Sequence, residues 1–288
     1  MAKWILASLT ATVVFCFPLS AMSYSDRVPD ELIEAAEEGD ADAQYKLFRD
    51  YYTSVDPDER INLLRKAVEQ GHPGAQLALA EKHLIGPGLG VKKDEAKAIE
   101  LIRDAAHKGH ADSQDKLARK YNTGNSVEPD KERAAHWFRE AAENGHARAQ
   151  VSIGDFRQVG AGVPKDYEKA RQWYRKAAEQ GHAPGQFAYA LMFIDDDQGV
   201  PRDVEKTIKW HRKAAKQGLE DAQLSLGRVY ADDTNYRDYS RAFKWLIFAE
   251  YQGNETAEFF ADQVHARMTD EQLDKAEELM MEYVPEED

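Results

Sequence analysis

Cysteine is nearly absent. The one cysteine in 288 residues, Cys16, lies in an apolar stretch near the start. A disulfide framework, a CxxC zinc site and a cysteine nucleophile in the body of the chain are therefore excluded. Positive charge is also short: 38 Lys+Arg face 52 Asp+Glu, a net charge of −14. A chain this acidic repels phosphate backbones and anionic lipid, which argues against nucleic acid or a membrane surface as partner. No G-x-S-x-G, Walker loop, H-E-x-x-H or dinucleotide fingerprint occurs, so the sequence offers no catalytic residue, no cofactor and no metal site. What is present is an apolar share of 42% and an aromatic share of 10%, enough for a folded core.

The first 23 residues read as an address. Lys3 gives a positive start, Trp4 to Phe17 carry no charge, and Leu19-Ser20-Ala21-Met22-Ser23 follow Pro18. A charged start, an apolar centre and a small-residue exit form the secretory signal pattern, with cleavage after Ala21 or Ser23. A retained signal anchor is the other reading, because the run approaches spanning length when extended to Ala21. Cys16 does not suit a lipidation signal, since Val13-Val14-Phe15 precede it. The expected location is periplasmic or secreted, with no membrane insertion once the signal is removed.

The rest is one unit written repeatedly. Glycines stand at 39, 71, 109, 145, 181, 218 and 253, spaced 32, 38, 36, 36, 37 and 35 residues apart. Eight residues before the last six sit Leu63, Leu101, Trp137, Trp173, Trp210 and Trp245. Fifteen before them sit Asp56, Asp94, Asp130, Asp166, Asp203 and Asp238. Five after the first six sit Gln44, Gln76, Gln114, Gln150, Gln186 and Gln223, with Glu258 after the seventh. A fixed period of this length is the signature of a repeat architecture.

Each landmark has a physical reading. Ala170, Trp173, Tyr174, Ala177 and Ala178 fall at i, i+3, i+4, i+7 and i+8, one face of an α-helix. Asp166 suits the N-cap, where its carboxylate accepts the first turn's unpaired N–H groups. Gly181 suits the left-handed residue that ends the helix. A second helix follows with small residues on one ridge (Ala75, Ser113, Ala149, Ala222) and again five positions on (Ala80, Ala118, Gly154, Ala190, Gly227), where neighbouring backbones can approach. The recurring Gln reads as a hydrogen-bonder across the turn, with exposure to a concave face as the alternative. The tryptophans read as a core ladder.

Tyr167-Glu-Lys-Ala-Arg-Gln-Trp-Tyr-Arg-Lys-Ala-Ala-Glu-Gln-Gly-His-Ala183, the loop Gly160-Ala-Gly-Val-Pro-Lys-Asp166 and Ala149-Gln150…Ile153-Gly154 resemble the Sel1-like repeat (SLR), a relative of the tetratricopeptide repeat. The resemblance covers about residues 30–268 and implies an all-α fold: a right-handed α/α superhelical solenoid of about six to seven two-helix units with end caps. The division expected is a signal peptide at 1–23, an N-terminal capping helix at 24–38, the solenoid at 39–268, and a C-terminal capping helix with an acidic tail at 269–288. Family members use a concave face to hold proteins or scaffold assemblies. The implied function is an exported, non-enzymatic scaffold or adaptor for a protein or peptide partner in envelope maintenance, signalling or host contact, acting as a monomer. The alternative, by analogy with the cysteine-rich SLR branch, is an envelope hydrolase of β-lactam or peptidoglycan type. The absence of that branch's cysteines weakens the analogy.

His72, His110, His146 and His182 recur after the glycine and invite a metal reading. Two ligands of one zinc ion lie within about 4 Å of each other, whereas packed helix axes are about 8–10 Å apart, so a structural role in the turn is expected. Asp195-Asp196-Asp197 lacks the Gly and Glu of a calcium loop and reads as a solvated loop. His211 stands where other units have Leu64, Ile102, Phe138, Tyr174 and Leu246, and reads as a partly buried core histidine. For partner binding, the helix after each glycine carries charge in the early repeats (Arg49, Asp50, Glu81, Lys82, Asp115, Arg119, Lys120). Later repeats bring Val151, Phe156, Phe187, Leu191, Met192, Leu224 and Val229. These seven are the candidate partner-binding residues, either a groove lined by adaptable apolar groups or core between repeats.

Overall fold

The protein is represented by a computed structural model that describes residues 28–194, 196 and 201–282. The signal pattern at 1–23, Asp195, Asp197 and the end of the acidic tail lie outside the described residues. Among the described residues the chain forms fifteen α-helices and no strand. It divides into two compact units that meet at Asp94 and Glu95, a division the period alone does not show. The first unit holds α1 (Asp30–Glu37), α2 (Ala41–Asp50), α3 (Pro57–Glu69) and α4 (Pro73–Ile85). The second begins with α5 (Glu95–His107), α6 (Ala111–Thr123), α7 (Lys131–Glu143) and α8 (Ala147–Val159). It continues with α9 (Tyr167–Glu179), α10 (Ala183–Leu191), α11 (Val204–Lys216) and α12 (Glu220–Asp232), and ends with α13 (Tyr239–Tyr251), α14 (Glu255–His265) and α15 (Asp270–Met281). Within each unit each helix packs on the next in sequence, except that α15 packs on α13 rather than on α14.

The caps fall where the sequence pattern puts them. Asp130, Asp166, Asp203 and Asp238 accept the backbone N–H of the third helical residue of α7, α9, α11 and α13. Asp56 caps α3 from the N–H groups of Asp58 and Glu59. The seven recurring glycines all have φ between +77° and +101°, the left-handed region where a side chain is strained. The residue after each donates its N–H to an alanine carbonyl five residues back, as His182 does to Ala177 and His146 to Ala141. This is the Schellman closure of a helix.

The recurring glutamine completes the turn. Gln44, Gln114, Gln150, Gln186 and Gln223 are buried, and each Nε2 donates to the carbonyl of Ala36, Ala106, Ala142, Ala178 or Ala215, at 3.0 to 3.4 Å. Their Oε1 atoms accept from an amide in the following repeat. Gln70 reaches Gln44, Asn144 reaches Gln114, Gln180 reaches Gln150, Gln217 reaches Gln186 and Gln252 reaches Gln223, at 2.7 to 2.9 Å. One side chain therefore ties its own turn to the next turn along the stack.

The core departs from expectation in one column. Trp245 is buried, but Trp137, Trp173 and Trp210 are only half-buried. Lys176 lies 4.2 Å from the Trp173 ring centre and Lys213 4.6 Å from that of Trp210, the arrangement of a cation over an aromatic face. The deepest position belongs to the next residue: Leu64, Ile102, Phe138, Tyr174, His211 and Leu246 are at most 2% exposed. The small-residue ridge gives these side chains room. A Cβ on Gly154 would lie 2.5 Å from a ring carbon of Tyr174, and the Tyr174 hydroxyl is held 2.8 Å from Asp155 Oδ1 and 2.9 Å from Gln158 Oε1.

In Gly154→Ala, overpacking costs about 1–3 kcal/mol and helix propensity returns about 1 kcal/mol, so the second unit should lose up to about 2 kcal/mol net. A urea melt checks this, and a stabilised variant would contradict the close approach.

Candidate functional site

The helix after each glycine presents the surface on which the sequence places its partner-binding residues. In the second unit that surface comes from α6, α8, α10 and α12. Leu191, at the end of α10, is exposed. Val151, Phe187, Leu224 and Val229 are half-buried. Val151 packs against the cluster of Ala170, Tyr174, Tyr189 and Met192, and Phe187 stacks on His211 with ring centres 5.3 Å apart. Val229 lines a pocket of about 330 Å³ with Ile194, Val204 and Thr207, rimmed by Arg202, Arg228 and two acids.

Two of the seven residues are not surface at all. Phe156 lies edge-on to Phe138 with ring centres 5.3 Å apart, and Met192 is 1% exposed inside the Tyr174 cluster. Both stand eleven residues after their glycine, a position that is buried at 156 and 192 but only half-buried at Val229 and exposed at Asp50. Lys120, at the same offset, is buried as well, and burial pushes its ammonium below the usual lysine range. Phe156 and Met192 therefore belong to the core and leave five residues for a partner. Asp115 is a second correction, since the charged early surface does not all face solvent. It is fully buried, and its Oδ2 pairs with Arg119 at 2.9 Å and Arg148 at 2.8 Å.

The recurring histidines are helix caps. Nδ1 of His72, His146 and His182 accepts the backbone N–H of Ala75, Ala149 and Gly185 at 3.0 to 3.2 Å. Nε2 is left free to donate, and in His72 and His146 that nitrogen lies 2.8 and 3.3 Å from Asp42 and Asp112. No group of three or more metal-ligating side chains converges among the described residues.

His211 is buried more deeply than a partly buried core residue. Neither ring nitrogen has a partner, and burial lowers its pKa to about 4. His182 shifts the same way, chiefly by burial, with Arg148 and His146 adding repulsion. The unfolded chain takes up these protons near pH 6.5, while the folded chain resists until lower pH. For His211 this adds nothing above about pH 6.5, and a protonation penalty builds up as pH falls from there to about 4. For His211 the difference is about 3 kcal/mol at most. His211→Leu, which restores the residue type of Leu64 and Leu246, should shrink the drop in melting temperature between about pH 7 and pH 4.5. An unchanged drop would show that His211 carries no such linkage.

Six successive segments match the Sel1 repeat, at residues 41–72, 73–110, 111–146, 147–182, 183–219 and 221–254. Among solved structures, the chain is similar to a Sel1 repeat protein from Oxalobacter formigenes, with 27% identity, coverage of 77% of this chain and 98% of that one, and a TM-score of 0.64. It is also similar to c5321, a protective antigen of uropathogenic Escherichia coli strains displaying an SLR fold. There the identity is 24%, the coverage 88% and 78%, and the TM-score 0.44. The immunity protein Pa5087 from Pseudomonas aeruginosa shows 20% identity, 84% and 83% coverage, and a TM-score of 0.41. No curated protein matches the chain. With its repeats matched over most of its length and their turns closed alike, the chain belongs to the Sel1 repeat family, whose members are typically protein-interaction scaffolds.

Proposed function

We propose that this protein is an exported, non-enzymatic scaffold that acts as a monomer and holds a protein or peptide partner in the cell envelope. One observation carries the reading. The polar side chains that recur through the repeats are bonded inside the scaffold, Asp and His as helix caps and Gln between turns. What differs from repeat to repeat is surface, and in the second unit it includes exposed Leu191 and the apolar pocket at Val229. A pocket of about 330 Å³ admits an anchoring side chain, and interfaces concentrate their energy in a few such anchors. Export rests on the signal pattern of residues 1–23, and no helix among the described residues is long and apolar enough to cross a membrane.

Two measurements test the proposal. Residues 1–40 fused to a reporter active only outside the cytoplasm should give activity, and an inactive but stable fusion would rule out export. A photo-cross-linking residue at Leu191 or Val229 should trap a discrete partner in the native envelope, whereas one at exposed Tyr52 should not. Leu191→Asp should abolish the adduct while shifting stability by no more than about 0.5 kcal/mol. Equal labelling from all three positions would contradict the docking surface.

A further inference from the structure

We propose that a cleft between α11 and the turn joining α12 to α13 binds an acidic segment of a partner protein through its carboxylates. The assignment rests on the scaffold reading above and names the chemistry of what the scaffold holds. The cleft has a volume of about 940 Å³. Six of its lining residues are cations: Lys209, Arg212, Lys213 and Lys216 from α11, Arg237 from the turn, and Arg241 from α13. Their offsets along α11 (0, 3, 4 and 7) put four on one helical side. Two carboxylates share the wall, and both are engaged. Glu205 accepts from the Tyr236 hydroxyl at 3.0 Å. Asp238 caps α13 through the Arg241 N–H at 2.9 Å and pairs with the Arg241 guanidinium at 3.3 Å.

The cleft therefore carries a local excess of four positive charges in a chain whose net charge is −14. A smaller recess shares Arg212, Lys216, Tyr230 and Arg241 with it and adds Lys244, Trp245 and Leu279. Burial lowers the Lys244 pKa, and Lys216, Arg212 and Arg241 push the same way against Glu282, as expected where cations crowd together. Five of the six cleft cations are exposed (Lys216 is half-buried), so an entering ligand can reach them. The Arg212 guanidinium is oriented by its bond to the Tyr230 hydroxyl at 2.6 Å, and planar arginine forks suit carboxylates.

Charge complementarity selects the occupant. A long polyanion, whether nucleic acid or an anionic membrane, would meet the repulsion of the remaining acidic surface along most of its length. A short segment avoids that penalty and sits in the local positive field. Ile208, Tyr230 and Trp245 line the cleft and its recess but are buried, so several spaced carboxylates of one segment, rather than apolar contact, supply the recognition.

The probe is a fluorescein-labelled ten-residue peptide of alternating glutamate and leucine, with its glutamine counterpart as control, titrated against the chain by anisotropy. The glutamate peptide should bind at least about tenfold more tightly, and the difference should fall as salt rises from about 25 to 250 mM. Lys209→Gln combined with Lys213→Gln removes two exposed charges, so it should weaken binding about tenfold, while the lost contacts with the Trp210 ring lower stability by no more than about 1 kcal/mol. Arg212→Gln should weaken it further. Equal binding of both peptides, an unaffected lysine variant, or tighter binding of an oligonucleotide of equal charge would each overturn the assignment. So would complete displacement by millimolar citrate, which would mark a small-anion site. A gain in affinity on removing residues 283–288 would make the chain's own acidic end the occupant and also overturn it. If the peptide fails while cross-links at Leu191 and Val229 persist, the cleft assignment falls and the scaffold reading stands.

Discussion

Ending a helix in a two-residue turn leaves its last carbonyls without partners, and burying them unpaired would cost about 1–3 kcal/mol each. The rest of this fold depends on how that problem is met. Glycine takes a positive φ, the next N–H closes back on an alanine carbonyl, and the neighbouring alanine carbonyl accepts from both the glycine N–H and a glutamine Nε2. The glutamine then offers its oxygen to an amide of the following repeat. A local backbone requirement thus becomes the contact that sets one repeat on the next. Solenoids gain their stability from such nearest-neighbour terms, and a chain without disulfides in its body has few other ways to hold its repeats in register.

The arrangement also frees the surface. With Asp at the start of one helix, His at the start of the other and Gln between turns, the recurring polar groups serve the backbone. The remaining positions can vary with little cost to the fold. In the second unit that freedom produces two unlike features: the apolar pocket at Val229 beside exposed Leu191, and the cationic cleft along α11. The departures from the repeat have physical consequences of their own. His211 in a core position elsewhere held by Leu, Ile, Phe or Tyr ties the stability of this unit to pH.

Much of this is legible in the sequence, because a repeat compares itself with itself. The glycine, aspartate and glutamine columns alone name the turns, the caps and the bonding residue. What periodicity does not supply is the side a helix turns inward. Phe156 and Met192 read equally as groove or core, because an offset from the glycine does not tell the hairpin's inner side from its outer side. The tryptophan column stands one residue away from the deepest position. Two further signals lie in the residues themselves. An amide precedes the glycine in five repeats (Gln70, Asn144, Gln180, Gln217 and Gln252), which marks the second half of the ladder. Val204–Lys216 carries five cations, but an overall charge of −14 conceals a local field of the opposite sign.

The central claim is that the glutamine couples one turn to the next rather than merely filling its own. A double-mutant cycle on Gln150 and Gln180, read by urea unfolding, tests it most directly. Gln150→Ala, Gln180→Ala and the pair together should give a coupling energy of about 0.5–1.5 kcal/mol, since either single change already breaks the shared bond. Additivity to within about 0.3 kcal/mol would mean that the amide pair, 2.7 Å apart, contributes nothing to holding the repeats together.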